Sequence, residues 1–217
     1  MTSKPVPLPA MIRAVIFDWG GVLIDDPAPG LIAYFAKALG VTGEALVNAY
    51  IKFVQEFQKG TMSERSLWEG LCAALGVRRP YNPTLWQDAV RYVYSPKEEI
   101  FSLVVHLKDA GYKIGVLSNM EMAMMDYFYE QGYDMFDVTI FSCAEGARKP
   151  EQWIYKIALD RLQVMPRETV FIDDKEENIA AAVELGIHGI LFTSPGQVIK
   201  ELIALPVNTA LELQSTP

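Results

Sequence analysis

The sequence predicts a doubly wound α/β protein: a parallel five-stranded sheet flanked by helices, with an all-helical segment inserted after its first strand. Three observations lead there. Five short apolar runs lack the alternation of a half-exposed strand, as strands buried on both faces should. Helical patterns separate the later runs, and alternating strand and helix argues for right-handed parallel crossovers. Finally, about ninety-five residues lie between the first two runs, where a crossover needs only a dozen or so.

The first run is Ile12–Asp18, ending at a glycine pair. The others are Lys113–Leu117, Val138–Phe141, Thr169–Asp173 and His188–Phe192. Helices are expected at Glu121–Gln131, Glu151–Leu162 and Lys175–Leu185, each between consecutive strands. The long segment has no strand-like run. It reads as helices near Pro29–Leu39, Glu44–Gln58, Ser63–Leu75 and Pro83–Val93, punctuated by Gly40, Gly60 and Gly76. A further helix, Pro96–Ala110, returns the chain to the sheet. The expected division is therefore a core of 11–26 and 97–205, a helical insertion of 27–96, and tails at 1–10 and 206–217.

Composition narrows the function. Of 217 residues, 51% are hydrophobic, enough for a packed core. With 19 Lys and Arg against 27 Asp and Glu the net charge is −8, and there is no basic stripe to suggest nucleic acid or an anionic membrane as partner. No apolar run approaches a membrane span, and the proline-rich start lacks the apolar segment of a secretory signal. Cys72 and Cys143 read as buried free thiols, so a reducing, cytoplasmic setting is expected. Monomer and homodimer both remain open.

Open α/β sheets bind ligands beyond the carboxyl ends of their strands. Here the first strand ends in Asp18, the second in Ser118 and Asn119, and the fourth in Asp173 and Asp174; Lys149 precedes a proline after the third. Taken singly, these are ordinary turn and cap residues. Four such coincidences in chain order place a carboxylate nucleophile, a hydroxyl donor, a cation and a carboxylate pair in one crevice. Other conspicuous residues read as packing. His106 falls on an apolar helix face and His188 at a strand start, with no partner at metal-ligand spacing. Met120, Met122, Met124 and Met125 pack a helix on the sheet, while Tyr34, Phe35, Tyr50, Phe53, Phe57 and Trp68 recur at helical spacing as a bundle core.

Phe17–Leu23 (FDWGGVL), Leu117–Met120 (LSNM), Ala147–Pro150 (ARKP) and Val170–Asn178 (VFIDDKEEN) resemble motifs I to IV of the haloacid dehalogenase-like superfamily. The insertion falls where that superfamily carries its C1 cap. The resemblance implies a Mg²⁺-dependent phosphohydrolase acting on a small phosphorylated metabolite. Asp18 is then the nucleophile that is transiently phosphorylated, and Asp18, the Gly20 carbonyl and Asp174 hold the metal. Ser118, the Asn119 amide and Lys149 bind the phosphoryl oxygens, and Trp19 approaches the substrate. Asp173 and Asn178 stand behind them, with Asn178 orienting Lys149.

One position departs from the family pattern. Most phosphatases of this superfamily carry a second Asp two residues after the nucleophile, as general acid and base, and here that position is Gly20. A missing acid commonly costs about 10²–10⁴ in rate. Asp26 is a candidate replacement, whereas Asp25 reads as structural. Two alternatives follow from the same residues: a dehalogenase in which Asp18 attacks carbon, and a phosphate-binding protein without turnover. The adjacent aspartates disfavour the first, because without a cation they repel each other and a substrate carboxylate.

Overall fold

In the computed structural model, which describes residues 11–205, five parallel strands form one sheet in the order β3-β2-β1-β4-β5. They are β1 (Ala14–Phe17), β2 (Lys113–Ser118), β3 (Val138–Phe141), β4 (Thr169–Asp173) and β5 (His188–Leu191). The expected strands are all present, and the first is central. Pairing in register brings Phe17 opposite Val116 and Ile172, so Asp18, Ser118 and Asp173 emerge side by side at one edge. The chain winds outward from β1 through β2 and β3, then crosses back to β4 and β5. The crevice this reversal opens lies at the ends of β1, β2 and β4.

The two sheet faces bury different partners, because successive side chains of a strand point to opposite sides. Ala14, Ile16 and Phe171 pack on Ile154, Tyr155 and Ala158 of α9 (Gln152–Leu162) and Ala181 of α10 (Glu176–Glu184). Val15, Phe17 and Ile172 face the other way, toward Ile100 and Val104 of α6 (Glu98–Asp109) and Val198 of α11 (Pro195–Ala204). That second core continues without a break into the inserted helices through Phe35, Trp68 and Trp86.

The insertion consists of α1 (Ala28–Leu39), α2 (Gly43–Tyr50), α3 (Val54–Gln58), α4 (Glu64–Leu75) and α5 (Leu85–Val93). Among the described residues it contains no paired strand, only a bridge of Ile24 with Pro96 at its base. Local chemistry sets the helix ends. Thr42 and Ser63 accept from the amides of Ala45 and Ser66 as N-caps, and Gly40 and Gly76 close α1 and α4 in left-handed conformations.

Several expectations need correction. The single helix expected at Glu44–Gln58 is broken at residues 51–53, although no proline or glycine lies there. Tertiary contacts on either side of the break account for it: Tyr50 bonds to Glu121 of the core, and Phe57 packs edge-on to Trp86. A one-turn helix, α8 (Ser142–Glu145), intervenes before Lys149, and α11 follows β5 where no helix was expected. His106 is exposed, its ring nitrogen bonded to the Ser102 carbonyl, and Met122 is likewise exposed; the apolar stripe of each helix runs one position aside. Cys72 and Cys143 are buried free thiols, as expected. α7 (Met122–Glu130) completes the helices, and no single helix among the described residues is long and apolar enough to cross a membrane. The tails 1–10 and 206–217 lie outside the described residues.

Candidate active site

The site is built around one buried ammonium. Lys149 is 1% exposed, and its Nζ lies 2.8 Å from Asp18 Oδ1 and 2.6 Å from Asp173 Oδ2. A charge so far from water persists only when paired and hydrogen-bonded. Burial, the largest influence on Lys149, favours losing the proton. The two carboxylates together outweigh it, so the ammonium stays charged.

Neighbouring side chains fix each member of the triad. Asn119 brackets the backbone of Lys149: its Oδ1 accepts from the Lys149 amide at 2.8 Å and its Nδ2 donates to the Lys149 carbonyl at 2.9 Å. Both oxygens of Asp173 are spoken for. Oδ1 accepts from Lys175 N and Asn178 Nδ2, and Oδ2 from Lys149 Nζ and Asn178 Nδ2. Asn178 thus holds Asp173, and it reaches the lysine through the carboxylate between them. Asp18 Oδ1 also accepts from the Trp19 amide at 2.6 Å.

Asp174 differs from its neighbour. Its Oδ1 is buried with no hydrogen-bond partner, and burial followed by the Asp173 charge raises its carboxyl above the ordinary range. The backbone comes unusually close here. Gly21 has a φ of 87°, and a Cβ at that position would lie 2.4 Å from Asp174 Oδ2, so only glycine fits. Asp18, Asp173 and Asp174 each offer an oxygen, all within 4.8 Å of one another. Three carboxylates face one ammonium. An orphaned oxygen in a hard, all-oxygen donor set with surplus negative charge suits a divalent cation of the Mg²⁺ type. Asp173, already saturated, is the least available of the three.

Asp18 and Lys149 line a cavity of about 370 Å³, whereas Asp173 and Asp174 stand behind its lining. Asp18, Trp19, Gly20, Ser118, Asn119, Lys149 and Asn178 all line it, so most of the residues expected at the site do meet there. Trp19 does so differently from expectation. Its indole is 1% exposed and wedged among Tyr94, Phe101, Phe128 and Tyr133, with the Phe128 ring centroid 4.9 Å away. Its ring therefore anchors the base of the site, and its backbone amide serves Asp18.

The structure explains what surrounds Gly20. A Cβ there would meet Pro27 Cδ at 3.0 Å, so an acidic side chain would crowd the proline ring, which would have to give by a few tenths of an ångström. Asp25 is structural, as expected: it pairs with Lys97 at 2.8 Å and accepts from Ser95 Oγ at 2.7 Å. Asp26 lines the cavity and accepts from the Ala28 amide as a helix cap.

Sequence reasoning missed Glu121. It follows LSNM directly and looks like an ordinary first-turn acid, yet it is buried in the cavity wall, with Tyr50 donating to its Oε1 at 3.1 Å. Burial raises its carboxyl above the usual range. The one available signal was a charge immediately before an apolar helix, and that is common.

Comparison with known proteins agrees with this geometry. The chain is 31% identical over 207 residues to acyl-CoA dehydrogenase family member 10 of Mus musculus, matching 89% of this chain but only 19% of that much longer protein. It is 27% identical to a sesquiterpene phosphatase of Aspergillus oryzae, over 88% of this chain and 94% of the relative. A HAD family enzyme from Bacteroides thetaiotaomicron shares the fold with a TM-score of 0.75 at 24% identity, over 89% and 98% of the two chains; its complex with magnesium and inorganic phosphate matches with a TM-score of 0.69. Residues 12–186 match the haloacid dehalogenase-like hydrolase family, and the chain belongs to it.

Proposed function

We propose that the protein is a Mg²⁺-dependent phosphomonoesterase whose nucleophile is Asp18. The observation that carries this reading is the buried Asp18–Lys149–Asp173 triad beside the unpartnered Asp174 oxygen, with Asp18 and Lys149 lining one cavity. The core is 11–26 and 97–205, and the cap that encloses the leaving group is 27–96. Bound between Asp18, Asp174 and the Gly20 carbonyl, Mg²⁺ supplies charge neutralisation for the phosphoryl oxygens.

Asp18 attacks phosphorus through a carboxylate oxygen, forming an aspartyl phosphate as the bond to the leaving oxygen breaks. Lys149, with the Ser118 hydroxyl and Asn119 amide, offsets the negative charge that spreads over the phosphoryl oxygens. Water then cleaves the acyl phosphate, restoring Asp18 and releasing phosphate. With glycine at position 20, no neighbouring acid protonates the leaving oxygen, so its own stability as an anion governs the first step. Acyl and activated aryl phosphates are favoured over simple alkyl esters.

Glycine at position 20 supports a second reading, a phosphate-binding protein without turnover, because it removes the usual acid at a position that Pro27 also crowds. One experiment separates the two. Acetyl phosphate and 4-nitrophenyl phosphate are offered with Mg²⁺, free phosphate is measured, and hydroxylamine traps any acyl phosphate. Turnover lost in Asp18→Asn, with trapped label on Asp18 in the wild type, supports the enzyme. Calorimetric Mg²⁺ binding without phosphate release supports the binding protein. Calorimetry on Asp174→Asn tests the metal assignment, since equal Mg²⁺ affinity would remove Asp174 from the ligands.

A further inference from the structure

We infer that the leaving group is an apolar alcohol or phenol, held as a hydrocarbon body among the inserted helices; this rests on the phosphomonoesterase reading above. Beyond the strand ends, the cavity runs on between α1, α2, α4 and α5. Its wall there is made by Ile32, Leu46, Val47, Ile51, Leu71 and Trp86. The volume, about 370 Å³, holds roughly a dozen heavy atoms at ~30 Å³ each, the liquid volume of a water molecule. Val47 and Ile51 line the cavity while remaining exposed, so its mouth is apolar as well as its interior.

Other leaving groups fit poorly. The cations lining the cavity are Lys149 and Lys175, both at the strand ends; none comes from the inserted helices. A second phosphate or a carboxylate on the leaving group therefore meets no counter-charge. A sugar brings several hydroxyls, yet Tyr50 and Glu121 are already bonded to each other, which leaves Gln58 Oε1 and Trp86 Nε1 as the unpartnered buried polar atoms of the lining residues from the inserted helices, too few for a polyol. Each buried hydroxyl left without a partner weakens binding by about tenfold. A quaternary ammonium needs open aromatic faces. Phe35, Trp68 and Trp86 instead pack on one another, with centroids 4.7–5.7 Å apart.

The test uses 4-n-alkylphenyl phosphates from methyl to octyl, whose leaving oxygens are chemically alike, so only pocket contacts change along the series. With saturating Mg²⁺, kcat/KM is expected to rise about three- to fourfold per methylene until the cavity is full. Hexyl phosphate is expected to outperform glucose 6-phosphate and phosphocholine, alkyl esters like itself. Binding is read separately on metal-free protein: 4-hexylphenol should shift tryptophan fluorescence, and glycerol should not. Val47→Glu, which places a charge at the cavity mouth, should flatten the chain-length dependence.

A flat series in the wild type, a preference for glucose 6-phosphate or phosphocholine, or a Val47→Glu slope equal to wild type overturns the inference. So does absence of 4-hexylphenol binding. If 4-hexylphenol binds but neither acetyl phosphate nor any aryl ester is hydrolysed, the phosphomonoesterase reading falls and the apolar-alcohol site stands.

Discussion

The two ends of the cavity are organised on opposite principles. At the strand ends, the Lys149 ammonium and both Asp173 oxygens have named partners at defined distances, and the backbone of Lys149 is itself clamped by Asn119. Among the inserted helices the wall is mostly apolar, interrupted by the Tyr50–Glu121 bond and by Gln58 and Trp86, whose Oε1 and Nε1 are buried without partners. Hydrogen bonds and buried charges specify one arrangement and penalise any other steeply. Dispersion and hydrophobic contact tolerate many occupants of similar volume. On the function proposed above, one end would fix the reaction and the other would sort its substrates. Substitutions should therefore have steep effects at the first end and shallow ones at the second.

The largest effect is expected at Lys149. Lys149→Met leaves Asp18 and Asp173 buried without their counter-charge, at a cost of about 3–5 kcal/mol in unfolding free energy. Urea denaturation measures it, and a loss below ~1 kcal/mol would mean the polar end is looser than described. Next comes Gly20. Gly20→Asp alone crowds the Pro27 ring and should destabilise by about 1–3 kcal/mol. Paired with Pro27→Ala, it should instead raise turnover of alkyl phosphates at least tenfold, within the ~10²–10⁴ that a positioned acid contributes. Aryl phosphates with good leaving groups should change little. An equal response of both substrate classes would show that an acid is already present, with Asp26 the first residue to replace.

Asn119→Ala removes both bonds to the Lys149 backbone and should cost about 1–3 kcal/mol, with a raised KM. Unchanged KM would separate Asn119 from the positioning of the lysine. The smallest effect belongs to the apolar end. Burial raises the Glu121 carboxyl above its ordinary 4.5, so the folded state holds that proton more tightly than the unfolded chain does. Its contribution to stability is thus fully present below about pH 4.5 and is lost as pH rises through the higher folded value. Melting curves of the wild type should fall relative to Glu121→Gln over that window, by about a degree or a few. Parallel curves for the two proteins would show that Glu121 is not held proton-rich by its surroundings.

The sheet and the strand-end cluster were legible because local pattern and chain order determine them. A continuous apolar run followed by a polar residue marks a buried parallel strand and its catalytic end, and five such runs yield the crevice. Contacts between segments distant in sequence were not legible. Nothing near Gly20 announces that Pro27 crowds its neighbourhood, and nothing at Asn178 says that it reaches Lys149 through Asp173. The break in the helix expected at Glu44–Gln58 is of the same kind. Propensity favours continuity there, and the bond from Tyr50 to Glu121 across 71 residues lies outside any local window. Glu121 stayed hidden for the same reason, because the helices that bury it come earlier in the chain.

The base of the insertion has a mechanical consequence. The chain leaves the core and returns to it by two segments lying side by side. Asp25 N bonds to Ser95 O, Lys97 N bonds to Leu23 O, and the Asp25–Lys97 ion pair spans the same place. Two adjacent tethers define a line and allow rotation about it far more readily than translation. The insertion meets the core again away from that line, where Gln58 O accepts from Ser142 Oγ and Lys59 pairs with Glu151. Separating the insertion from the core would therefore also break the Tyr50–Glu121 bond and the Arg91–Glu130 pair and divide a shared apolar core, so these residues act as one packed unit rather than a loose flap.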